Sequence, residues 1–265
     1  PSSGQNNIKA KYRVGTGIKG LVKKDQISIL LTRPPGVKTC TNPEPSKGPE
    51  DPEDMNHARQ NAPLTVVTMG RIVSLLDFEN FSKAFRGIGK AKATWVWDGR
   101  LKKIHLSIAS SAGDDHFVDK TDILYKNLMI AISQNKDPTV AFTVDSAVQI
   151  SFNLSGKVVV MNNRNTEFML KEITDTLLLK FSFDARDLGQ SVSISEVMSV
   201  IQGVEGVLYV NLDKFYRSGE TPDQNFYIKA ETARYVVSNG QLPTFRPTEI
   251  ITINPAGINL TCEVE

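Results

Sequence analysis

The dipeptide Asp98-Gly99 constrains this chain more than any other feature, because of what flanks it: Ala93-Thr-Trp-Val-Trp97 before and Ile104-His-Leu-Ser-Ile108 after. An Asp-Gly connection with positive φ closes an antiparallel hairpin, and strict alternation on both sides assigns one face of each strand to a core. Ala93, Trp95 and Trp97 share one face, and Ile104, Leu106 and Ile108 share another. The two strands need a cover, and the preceding residues supply one. Ser74 with Asp77 three positions on reads as a capping box, and Phe78, Phe81, Phe85 and Ile88 mark one apolar helix face. The tryptophans are expected to pack beneath it. After the hairpin, Thr121 caps a second helix with Leu124, Leu128 and Ala131 inward. Val140, Phe142 and Val144 alternate as a closing strand, and a short strand at 64–68 opens the unit. The order is β-α-β-β-α-β, the ferredoxin-like plan.

Residues 146–215 read as a partial repeat of that plan. Val148, Ile150, Phe152 and Leu154 alternate in a strand that runs on to Val160. Asn165 or Thr166 starts a helix with Leu170, Ile173, Leu177 and Phe181 inward. Ser193 and Glu196 make another capping box, and Gly203-Val-Glu-Gly206 turns the chain into a strand at 207–212. Residues 1–62 are rich in Gly and Pro and lack a core pattern, so they read as an extended arm with one strand around 27–31. Residues 216–265 begin polar and mobile, at 218–224. They end with two alternating runs around Pro255-Ala-Gly257, a hairpin pattern. The fold class is therefore α+β: two small α/β-sandwich modules, at 63–145 and 146–215, between an arm and a C-terminal β-hairpin tail at 216–265.

Composition narrows the function. With 40% hydrophobic residues in 265, the chain can bury a sizeable core, and a net charge of +2 calls for neither a nucleic acid nor an anionic membrane. No apolar run reaches the ~20 residues of a membrane span. Two cysteines, Cys40 and Cys262, make no disulfide framework. Gly15-Thr-Gly-Ile-Lys-Gly20 matches the dinucleotide fingerprint, but that site needs a helix next and a strand ending in an acid about 20 residues on. Residues 21–31 show no helical stripe, and Glu44 lies in a proline-rich stretch. A tight glycine turn is the reading, with dinucleotide binding as the alternative. His57, His105 and His116 stand apart, and His116 falls in a Gly-Asp-Asp-His turn without the ligand spacing of a metal loop. No CxxC, HxxxH or GxSxG appears. Trp95 and Trp97 on a sheet resemble a base-stacking platform, but the rest of an RNA-binding pattern is missing. Asn153-Leu-Ser155 and Asn259-Leu-Thr261 match the glycosylation triplet inside expected strands. No catalytic residue, metal ligand or cofactor is expected.

A resemblance carries the reading further. Tyr12-Arg-Val-Gly-Thr-Gly-Ile-Lys-Gly20, Leu31-Thr-Arg-Pro-Pro-Gly-Val37 and Thr41-Asn-Pro43 resemble the baseplate assembly proteins, a branch of the baseplate J-like family. Further blocks follow in the family's order: Ala58-Arg-Gln-Asn-Ala-Pro-Leu64, Arg71-Ile-Val-Ser-Leu75, Phe85-Arg-Gly-Ile88 and Ala91-Lys-Ala-Thr-Trp-Val-Trp-Asp98. Phe181-Ser-Phe-Asp-Ala-Arg-Asp-Leu-Gly-Gln190, Ser195-Glu-Val197, Ile201-Gln-Gly-Val-Glu-Gly-Val207, Asp213 and Arg246-Pro-Thr-Glu-Ile-Ile251 complete the series. Family members are longer, so the chain is expected to be the C-terminal part of one. The resemblance implies a structural wedge subunit, not an enzyme, in the baseplate of a contractile phage-tail-like injection system. It implies synthesis in the bacterial cytoplasm and a ring around the tube that is coupled to sheath contraction. The expected partners are other wedge proteins, neighbouring copies and sheath-proximal components, with no nucleic acid and no membrane insertion. The family offers no catalytic residues to carry over.

Overall fold

A computed structural model describes residues 15–32, 35–46, 55, 59, 71–111, 116–162, 165–236 and 244–264. The expected strand at 64–68 and His57 lie outside them. The chain divides into two compact units, Pro1–Gln60 and Asn61–Glu265.

Among the described residues of the first unit, polar bonds hold the chain together. Asn42 is its hub. Its carbonyl accepts from Asp25 N, its side-chain oxygen from Ile27 N, and its amide donates to the carbonyls of Lys23 and Glu44. Ser46 N donates to the Val22 carbonyl at 2.9 Å, and Val22 N donates to Ser46 Oγ at 2.8 Å. These bonds clamp two legs together and leave residues 28–32 and 35–40 as an excursion between them. No strand forms at 27–31 among the described residues.

The second unit begins with helix α1 (Leu75–Lys83), whose capping box is complete: Ser74 accepts from Asp77 N, and the Asp77 carboxylate accepts from Ser74 N. Strands β1 (Ile88–Trp97) and β2 (Lys102–Ser110) pair antiparallel. Their connection spans four residues, not two. Asp98 N donates to the Leu101 carbonyl, while the Asp98 side chain accepts from Arg100 N, Leu101 N and Lys103 Nζ. Those three donors, led by Leu101 N–H, hold the Asp98 carboxyl far below its ordinary range. Only Gly99 of the expected pair takes positive φ, at +91°. Helix α2 (Ile123–Asn135) follows, capped at Asp122, not Thr121, with Leu128 and Ile132 buried.

Strand β3 (Phe142–Ser146) pairs parallel and directly with β2, from Ile104↔Phe142 to Ile108↔Ser146. This corrects the ferredoxin-like expectation. That plan inserts the opening strand between these two, and a direct ladder leaves no place for it. The sheet order is β1-β2-β3, with Ile104, Leu106, Ile108, Leu128 and Phe78 in its core.

One residue, Ala147, separates β3 from β4 (Val148–Val160). Helix α3 (Thr166–Lys180), capped by Asn165, buries Met169, Ile173 and Leu177. Two-residue β5 (Val192–Ser193) leads into α4 (Ile194–Gln202), then β6 (Val207–Arg217) pairs antiparallel with β4. Helix, glycine corner and strand recur here at a constant offset: Ser193 stands 119 residues after Ser74, and Gly206 (φ +101°) stands 119 after Gly87 (φ +91°). The chain path differs, however, because the central strand β4 comes before its helix–corner–strand unit, whereas β2 comes after.

Residues 218–225, expected to be mobile, fold back on β6. Phe215 N donates to the Asp223 carbonyl, and Ser218 N donates to the Ser151 carbonyl. Short strands β7 (Tyr227–Ile228), β8 (Arg234–Val236) and β9 (Thr244–Arg246) follow. The expected C-terminal hairpin is a single strand, β10 (Glu249–Val264). Both of its halves pair parallel with β4, Glu249↔Val148 to Ile253↔Phe152 and Ile258↔Leu154 to Val264↔Val160. Pro255, Ala256 and Gly257 form a bulge held by Asn254 and Asn153, whose side chains bond at 2.9 Å. The second sheet, β10-β4-β6, thus has one antiparallel and one parallel neighbour around its centre, like the first.

Candidate functional site

Gly17–Gly20 wind into one short 3-10 turn with Gly17 at φ +64°. No helix follows at 21–32, so the loop lacks the helix N-terminus that makes such a motif bind pyrophosphate.

His105 lies on the face of β2 opposite the helices, as its alternation implies, yet it is fully buried. Its Nε2 is 2.9 Å from Asp145 Oδ2, and Ser107 Oγ is 3.4 Å from its Nδ1. Lys120 Nζ contacts the second Asp145 oxygen at 2.5 Å. Burial works against the Asp145 carboxylate, but the bonds from His105 and Lys120 outweigh it and keep its pKa below the ordinary value. Carboxylate, imidazole and hydroxyl in a row have the composition of a nucleophile relay. The geometry gives it another use. Ser107 is fully buried, and its oxygen accepts from Thr248 N at 2.8 Å. Thr248 Oγ1 in turn accepts from Ala233 N at 3.1 Å. The row therefore fastens residues 233–236 and 244–248 across the back of the first sheet, where the Phe245 ring lies 5.5 Å from that of His105. Sequence reasoning placed the face correctly and missed the cover, which arrives more than 100 residues later.

His116 is held by its neighbours. It takes φ +49°, bonds the Ser110 carbonyl through Nδ1 at 3.0 Å, and stacks on Phe183 with centroids 3.4 Å apart. No group of three or more His, Cys, Asp or Glu converges among the described residues. Arg186, only 2% exposed, donates to Glu196 at 2.6 Å and to the Ser191 carbonyl at 2.7 Å. Glu196 is thereby drawn away from the box expected with Ser193, whose side chain still accepts from Glu196 N. Cys40 and Cys262 are both free thiols, and burial pushes the Cys262 thiol up.

Trp95 and Trp97 are 41% and 60% exposed, which overturns their expected packing under α1. The covered part of that face ends at Ala93. Lys102 Nζ sits 4.7 Å over the Trp95 ring. A shallow open groove follows the outer side of α3, from Phe168 to Leu179. No helix among the described residues is long and apolar enough to cross a membrane.

The sheet edges differ from one another. Glu79 accepts from Ala93 N at 3.1 Å and covers β1. The Tyr125 hydroxyl donates to the Val144 carbonyl at 3.1 Å and covers β3. Residues 223–225 and the Gln224 amide cover part of β6. Ile253 N, in the first half of β10, donates to the Phe181 carbonyl. Along 258–264 nothing among the described residues pairs with the outer side of β10.

Residues 70–145 match the family described as Baseplate J-like central domain. In the region shared with the sequence resemblance, the two agree. Among solved structures, a chain in the cryo-EM structure of the anti-feeding prophage (AFP) baseplate, 6-fold symmetrised, aligns with a TM-score of 0.49 and 13% identity. The alignment covers 92% of this chain and 52% of that one, so this chain spans about half of its length. A search of the curated proteins finds no match.

Proposed function

We propose that this chain, which carries a Baseplate J-like central domain at residues 70–145, is a wedge subunit of the baseplate of a contractile phage-tail-like injection system. The family match is the observation that carries the reading. In this reading copies arrange in a ring around the tube, meet other baseplate components, and couple to the sheath; the chain works by contact and not by turnover. The structure supports it through what its polar residues do. His105, Asp145, Ser107 and Arg186 are consumed in bonds between segments of the chain. The exposed residues that remain distinctive are apolar or aromatic, Trp95, Trp97, Phe168 and Leu179 among them. Trp is enriched among residues that dominate protein interfaces.

The test is a deletion of the gene, followed by electron microscopy of the cells' particles. Tube and sheath proteins are expected to be made while few complete contractile particles assemble. A ring offers many weak contacts at once, and multivalency turns them into one stable platform. Intact contractile particles in normal numbers overturn the reading.

A further inference from the structure

We propose that residues 27–31 of one copy of this chain add as a strand to the outer edge of β10, along 258–264, in a second copy. The contact would join neighbouring copies, so it deepens the ring reading above, although its own grounds are physical.

The first ground is an unmet strand. Ile27, Ile29 and Leu31 alternate as a strand does, and they are 48%, 76% and 102% exposed. Among the described residues the backbone of 28–31 makes no hydrogen bond. A run of β-branched and other apolar residues of this kind suits a half-buried pleated surface, and no strand among the described residues provides one. The clamp around Asn42 holds the base of the excursion at Asp25 and Ile27, which lowers the entropy lost when the segment docks.

The second ground is the edge itself. An uncovered edge strand is a template for pairing with another chain, and proteins ordinarily blunt it. Here single side-chain bonds from Glu79 and Tyr125 interrupt the edges of β1 and β3 and residues 223–225 cover part of β6, whereas among the described residues none reaches the backbone edge of the last seven residues of β10. The edge is also apolar on one side only. Ile258, Leu260 and Cys262 pack half-buried against the core under α3 and α4, while Asn259, Thr261 and Glu263 are exposed on the other side. A strand laid along this edge with Ile27, Ile29 and Leu31 on the helix side would extend that core by three side chains.

The third ground is that donor and acceptor differ. An arm on one molecule and an edge on the next make a head-to-tail contact, which closes into a ring or continues as a filament. That is the contact a ring of copies needs.

Cys262 gives the test a native probe, since adjacent strands bring facing residues within disulfide reach. Two purified forms of the chain are mixed under mild oxidation. One carries Cys40→Ser and keeps Cys262. The other carries Cys40→Ser, Cys262→Ser and, in turn, Ile27→Cys, Ile29→Cys or Leu31→Cys. A covalent heterodimer is expected from one of the three positions in preference to the others. Adding Ser28→Pro or, in the Ile27→Cys and Leu31→Cys forms, Ile29→Pro, whichever removes a ladder donor, is expected to abolish it. A partner form with Thr261→Cys and Cys262→Ser, which moves the thiol to the opposite face, is expected to stay unreactive. No heterodimer at any position overturns the proposal, as does equal reaction of the Thr261→Cys form. A single chain holding both thiols that closes only within itself, at a rate independent of concentration, also overturns it, because the occupant is then its own arm. The deletion experiment is independent: particles lost with no cross-link leaves the baseplate reading standing and removes this contact alone.

Discussion

Gly206 turns the chain from α4 into β6 at φ +101°, in the region where a side chain collides with its own backbone. Gly203, three residues earlier, sits at φ −71° as an ordinary helical cap. Gly206→Val is therefore expected to cost on the order of 1 kcal/mol or more, while Gly203→Ala costs little, as read by urea unfolding. Equal melting of both variants would contradict this backbone. The sequence motif Gly203-Val-Glu-Gly206 announced the corner but not which glycine is indispensable, because φ is set by the direction the next strand must take. The phenylalanines teach a similar lesson. Phe78 is 1% exposed, whereas Phe85 is only half-buried at the margin of the core. Phe78→Ala should cost about 3–5 kcal/mol and Phe85→Ala clearly less; the reverse order would place the helix on its wrong face. Trp95 and Trp97 show the limit of the same reading. Alternation states which face a side chain takes, but not how far along the strand the covering helix reaches.

Among the elements, the helices were the most legible, since their signals are local. The Ser74 box is complete, and Ser74 N–H, the largest influence on the Asp77 carboxyl, holds its pKa below the ordinary value. The sign follows from linkage: the stabilisation is present above the unfolded pKa and is lost as pH falls through the lowered folded one. Ser74→Ala should cost ~1 kcal/mol near neutral pH, and Asp77→Asn should cost less, with its difference from the parent shrinking in acid as Asp77 is protonated. A difference that grows in acid would deny the box. The strands were half-legible. β1, β2, β4 and β6 follow from alternation, but β10 was read as a hairpin, since two alternating runs around Pro255 and Gly257 give one local signal for two structures. They can fold on each other, or both can pair with a strand 100 residues earlier, and only the second buries Ile250, Ile251 and Ile253. The ferredoxin-like order failed for the same reason: pairing partners are a long-range choice, made here when β2 bonds β3 directly.

Across the whole second unit, the decisive contacts join residues far apart in sequence. Ser107 to Thr248 is the clearest, and it was invisible beforehand because alternation gives the face of Ser107 but not its partner, and Thr248 belongs to no periodic pattern. Ser107→Ala would leave the buried Thr248 N–H without its partner, at a cost of about 1–3 kcal/mol. Hydrogen exchange should then speed up at residues 233–236 and 244–248 before the first sheet loosens. Unchanged protection would mean the strap is held by its rings alone.

The length of β10 has a mechanical consequence. Twelve of its residues are paired to β4, and the chain continues from β4 through the single residue Ala147 into β3. A pull on the C-terminal end along the strand axis loads those bonds in shear, so they must fail together. A sideways pull would open them one at a time, like a zipper. The fold is thus stiff along one line and weak across it, and a load arriving along that line would pass from one sheet to the other without meeting a slack joint.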